Sequence, residues 1–99
     1  MESKEYSWRF ATVSSVLSLG PCELVFAHLS AEAVNDDTYL RNGVNNKGEP
    51  IVIMESGLKE SVPFFPKEPV YCEKGLFVEI TDGNVKGVFV QWRELRPKH

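Results

Sequence analysis

The feature that most constrains this chain is an apolar–polar alternation of period two. Gly, Pro, Asn or Asp cuts it every eight to twelve residues. A pattern of that period suits a pleated strand with one face buried, and such frequent turn residues leave no segment long enough for a large helix. Tyr6–Val13 reads as a first strand with Tyr6, Trp8 and Phe10 on one face, and Ser15–Leu19 leads into a Gly20-Pro21 turn. Cys22–Leu29 is a nearly continuous apolar run, expected to be buried on both faces. Residues 30–37 are small and polar and suit a loop or a single helical turn over 31–34. Asp37–Gly43 is a short strand entering the loop Asn42–Gly48, whose residues tolerate positive φ. Pro50 opens the next strand, Pro50–Met54, at a position where the ring is tolerated.

The second half follows the same grammar. Val62–Phe65 and Val70–Cys72 are short strands, and Leu76, Val78 and Ile80 point inward with Phe77 and Glu79 on the other face. Asp82-Gly83-Asn84 is a tight hairpin turn before Val85–Arg93, where Val88, Val90 and Trp92 share a face. Within Phe64–Ile80, Pro66 and Pro69 end one strand and steer entry into the next, and Gly75 allows a bend before the core resumes. The expectation is an all-β fold: one antiparallel β-sandwich, jelly-roll-like, of seven to nine short strands over residues 1–99. Residues 1–5 and 96–99 read as frayed tails.

Composition removes several function classes. With 42% hydrophobic and 25% charged residues the chain is neither disordered nor membrane-spanning, since no run approaches the ~20 apolar residues of a transmembrane helix. Net charge is -3 with Lys and Arg scattered, so the clustered basic face that displaces counterions is missing and nucleic acid is not an expected partner. The acidic start Met1-Glu2-Ser3-Lys4-Glu5 and the serine-diluted segment after it argue against a signal peptide. At 99 residues the core is marginal, which favours oligomerisation. Cys22 and Cys72 are too far apart for a zinc or CxxC pattern. They read as small reduced hydrophobes, with a disulfide open only if their strands are neighbours.

No catalytic constellation emerges. The histidines are His28, in an apolar strand, and His99; neither has a ligand at metal spacing. Asp36, Asp37 and Asp82 form no calcium loop, and no serine sits in a nucleophile elbow. Glu23 and Glu79 are candidates for a carboxylate pair across a sheet, with a solvated surface as the simpler reading. Gly43 and Gly48 precede no helix that would hold a phosphate. No cofactor or metal is expected. The aromatics Tyr6, Trp8, Tyr39, Phe64, Phe65, Phe77 and Trp92 suit core packing first and a sugar-stacking platform second. Exposure of Trp8 or Phe77 points to a subunit interface, and Lys67, Glu68, Glu73 and Lys74 to a solvated or subunit-facing rim. Those six residues are the candidate interface.

Several segments, taken in order, resemble a family of small β-sandwich virion proteins of tailed bacteriophages. Ser18-Leu19-Gly20-Pro21-Cys22-Glu23-Leu24 stands where the family has Gly-Pro-Gly-x-Leu before a hydrophobic strand, with Cys22 at the second glycine. Leu40-Arg41-Asn42-Gly43 followed by Lys47-Gly48-Glu49-Pro50-Ile51-Val52 is similar to its Asp-Gly strand end, polar loop and new strand, with Asn42 for the aspartate. Pro69 to Val78 and Val88-Phe89-Val90-Gln91-Trp92 resemble its Pro-x-Phe-x-x-Gly-Leu-Tyr-Val pair and closing strand, so the likeness runs from Tyr6 to Trp92. The resemblance implies a non-catalytic structural protein of the virion, assembled in the host cytoplasm. Its role would be head decoration or cement, with the major capsid protein and its own copies as partners. A tail, baseplate or head–tail connector component is the alternative within the virion, and a small carbohydrate-binding module the alternative outside it.

Overall fold

The computed structural model describes residues 6–31, 37–55, 61–80 and 85–95. They form nine strands: β1 (Tyr6–Ala11), β2 (Ser15–Ser18), β3 (Cys22–Ala31), β4 (Asp37–Asn42), β5 (Glu49–Glu55), β6 (Ser61–Phe64), β7 (Val70–Cys72), β8 (Leu76–Ile80) and β9 (Val85–Glu94). One sheet has the order β1-β9-β3-β6, with β7 also on β3, and the other has the order β2-β8-β4-β5.

One long ribbon generates this order. β4 and β5 pair across the Asn-rich turn, and the chain zips outward from there: β3 with β6 and β7, β2 with β8, β1 with β9. Rolling the ribbon closes β9 on β3 and β8 on β4, all antiparallel. The result is a jelly roll in which the last strand of the first sheet is broken into β6 and β7. The break, residues 65–69, holds Pro66 and Pro69. Pro63 lies in β6 and Pro50 in β5, each on a sheet edge, where a missing N–H costs no ladder bond.

The core lies between the sheets. Leu24, Ala27 and Leu29 of β3 and Val88, Val90 and Trp92 of β9 face Leu40, Met54, Leu76 and Val78 of the second sheet, all buried. Burying each large apolar side chain stabilises the fold by about 1.5–3 kcal/mol. Glu94 ties the layers at one end: its carboxylate accepts from the Ser18 hydroxyl (2.9 Å) and the Trp92 indole N–H (3.0 Å). Gly75 has φ +132°, and a Cβ there would stand 2.6 Å from the Ser18 carbonyl oxygen, so the bend into β8 requires glycine.

Three expectations need correction. The Cys22–Leu29 run is not buried on both faces: Cys22, Leu24, Ala27 and Leu29 are, whereas Glu23, Val25, Phe26 and His28 are half-buried on a sheet with solvent beyond it. An irregularity between Leu24 and Phe26 resets the alternation there. The first strand ends at Ala11 because Thr12–Ser14 must cross to the other sheet, where the Ser14 hydroxyl accepts the Ile80 N–H (2.9 Å). The second strand ends at Ser18, leaving Leu19 exposed. The helical turn expected over 31–34 lies, past Ala31 at the end of β3, outside the described residues, as do the 82–84 hairpin and the frayed tails.

Candidate interaction surface

The alternation of β1 puts Ser7 and Ala11 on one side and Tyr6, Trp8 and Phe10 on the other. Ser7 opposes the buried Trp92 and Ala11 the buried Val88, so the aromatic side of β1 faces away from the core. The register extends that face across the sheet in three rows. Tyr6, Arg93, Glu23 and Tyr71 form one row; Trp8, Gln91 and Phe26 the next; Phe10, Phe89, His28 and Pro63 the third.

The rings touch. Trp8 stacks on Phe89 at a centroid distance of 5.8 Å, Phe89 meets Phe26 at 6.1 Å, and Phe26 meets Phe65 edge-on at 5.6 Å. Phe65 sits in the break after β6, where the chain, freed from pairing, presents it to solvent. Trp8 is 65% exposed and Phe65 78%. The five exposed aromatics among the described residues, Tyr6, Trp8, Phe10, Phe65 and Tyr71, all belong to this face, whereas the aliphatics Val13, Leu19, Val44 and Ile53 are exposed elsewhere. Clustered aromatics beside an arginine have the composition of an interface core. Arg93 is held by Glu23 (2.7 Å) in its row.

On the opposite outer face, on the second sheet, the arginine is tied down by contacts within the chain. The Arg41 Nε donates to Glu79 (2.8 Å), its Nη1 donates to the Gly48 carbonyl (3.0 Å), and its guanidinium lies 4.7 Å from the Tyr39 ring centroid. Glu23 and Glu79 therefore sit on opposite sides of the molecule, each with its own arginine, and do not form a catalytic pair.

The six residues expected at an interface separate. Trp8 is central to the aromatic face. Phe77 is half-buried on the opposite sheet, beside Val16 and Arg41 in register. Lys67 and Glu68 are exposed in the break, just past Phe65, and Glu73 and Lys74 are exposed in the turn before β8. Phe65, one of the aromatics expected in the core or in a sugar platform, joins the face, and so do Phe26, Phe89 and Tyr71, which were not singled out. Phe65 and Tyr71 carried a signal, because the two prolines interrupt the edge strand between them. Phe26 carried none, because no residue type marks the irregularity before it.

A depression of about 470 Å³ opens at one end of the sandwich, lined by residues 42–45 and 47–49 of the loop and by Lys74. Four of its amides are already used: Gly43 N–H donates to the Gly75 carbonyl, Gly48 N–H to the Asn45 carbonyl, Lys47 N–H to Asn45 Oδ1 and Lys74 N–H to Asn42 Oδ1. Such a loop has few backbone donors left for an anion. Among the described residues no three His, Cys, Asp or Glu side chains gather at metal-binding distances, and no helix is long and apolar enough to cross a membrane. Compared with known proteins, the chain matches no family model, no curated protein and no solved structure.

Proposed function

We propose that this protein is a structural component of a tailed-bacteriophage virion, a head-decoration or cement protein that works through protein–protein contacts and no catalysis. The order of segments resembling that family supports the virion assignment. The observation that carries the assembly role is the aromatic face, with Trp8 and Phe65 open to solvent on a sheet whose other side packs on the core. A rigid sandwich holds such a face at fixed geometry, so little conformational entropy is lost on docking. The major capsid subunits are its partner, with further copies of the chain completing the coat on the particle. Purified virions analysed by mass spectrometry should contain the chain in stoichiometric ratio to the major capsid protein, and its absence from them overturns the assignment. A reconstruction of the particle separates a head position from a tail, baseplate or connector position.

A second reading, a carbohydrate-binding module, is favoured by the same exposed Trp8. Sugar rings stack on open aromatic faces, yet here the rings meet at 27°, 56° and 89° and do not share one plane. That interlocked row suits a protein partner better than a flat platform. A glycan array with micromolar hits lost in Trp8→Ala would favour the sugar reading.

A further inference from the structure

The second cysteine, Cys72, belongs to β7, the short strand beyond the proline break, and stands directly opposite Cys22 of β3 in antiparallel register. Both are free thiols, both are fully buried on the core side, and the Cys72 thiol donates to the Val70 carbonyl (3.5 Å). Directly opposed residues of an antiparallel pair have Cα atoms about 4.5–5.5 Å apart, inside the roughly 4.4–6.8 Å window a disulfide needs. We propose that Cys22 and Cys72 are a dithiol site that closes to an intramolecular disulfide on exchange with a small disulfide such as glutathione disulfide, fastening β7 to β3.

Access comes from the weakness of β7. It has three residues, pairs with β3 alone, and is bounded by Pro69 on one side and the Gly75 bend on the other. Strands with so few partners open locally without global unfolding. The two thiols are also unequal. In the closed pair the neighbouring Cys72 holds Cys22 below the usual thiol value, while Cys22, followed by burial, pushes Cys72 well above it. Opening of β7 separates the pair, so either sulfur can attack first, Cys22 for instance. Its thiolate breaks the S–S bond of glutathione disulfide, forming a Cys22–glutathione mixed disulfide and releasing one glutathione. Cys72 Sγ then attacks the Cys22 sulfur, the protein disulfide forms, and the second glutathione leaves. The two protein thiols are oxidised, glutathione disulfide is reduced, and both thiol protons end on the two glutathiones. This site is independent of the function proposed above.

The test incubates the full chain with glutathione disulfide, quenches by alkylation and reads the intact mass, then repeats it with Cys72→Ala and Cys22→Ala. Wild-type chain should lose both free thiols, carry no glutathione and melt on the order of 10 °C higher, reversed by dithiothreitol. Cys72→Ala should instead retain glutathione on Cys22, and Cys22→Ala should retain it on Cys72. Wild-type chain that retains glutathione, that keeps both thiols at urea concentrations just below unfolding, or that forms disulfide-linked dimers overturns the proposal.

Discussion

The two outer faces of this sandwich are built from similar residues and reach opposite outcomes. Each has aromatics and an arginine–glutamate pair placed by the same period-two rule. On the β2-β8-β4-β5 sheet, Arg41 engages Glu79, the Gly48 carbonyl and the Tyr39 ring together, and Phe77 is half-buried. On the β1-β9-β3-β6 sheet, Arg93 has Glu23, and the rings are left to one another and to solvent. The difference teaches that composition alone does not mark a docking face. What marks it is whether the polar groups and rings are already satisfied within the chain.

Substitutions should separate the faces, and the largest effect is expected on binding. Trp8→Ala should weaken docking onto capsid particles lacking the protein by about 30-fold or more, as loss of a central aromatic anchor does, with folding stability changed by less than about 1 kcal/mol. Co-sedimentation and urea melts read the two quantities, and a variant that docks normally would remove the aromatic face from the mechanism. Arg41→Ala should do the converse. It strands Glu79 and the Gly48 carbonyl in half-buried positions, and should cost about 2 kcal/mol in the urea melt with docking unchanged.

Two smaller effects sharpen the comparison. A Cβ on Gly87 would stand inside the Phe10 ring, so Gly87→Ala must drive that ring off the sheet, at about 1–2 kcal/mol. Combining it with Phe10→Ala should recover most of the loss, and simple additivity in that double-mutant cycle would contradict the packing described. Glu23→Gln should cost at most about 0.5 kcal/mol, because its ion pair is partly exposed, and the difference should shrink in high salt. A large, salt-insensitive loss would mean the Arg93–Glu23 pair is held as firmly as Arg41 on the other side.

Much of the architecture was legible in the residues. Pro66 and Pro69 marked the break, Gly75 the bend, and Leu76 with Val78 the inward side of β8, because each reports a local backbone requirement. The face was legible only along β1, where Tyr6, Trp8 and Phe10 alternate without interruption. Phe26 was hidden by the irregularity after Leu24, which shifts which residues point outward and leaves no signature in Glu23-Leu24-Val25-Phe26. The separation of Glu23 from Glu79 was hidden too. Both read as outward glutamates, and only the assignment of their strands to different sheets puts the core between them.

The sequence by itself determined the all-β class, the places where turns and the proline break interrupt the strands and, along uninterrupted strands such as β1 and β8, which side chains share a face, since these follow from covalent geometry and neighbours a few residues apart. Only the rolled ribbon decided that Trp8, Phe89, Phe26 and Phe65 would touch, that Cys72 would oppose Cys22, and that Arg41 would be tied down. Those contacts join strands far apart in the chain, so their partners are chosen by the collective burial of the core and not by any property of the residues that meet.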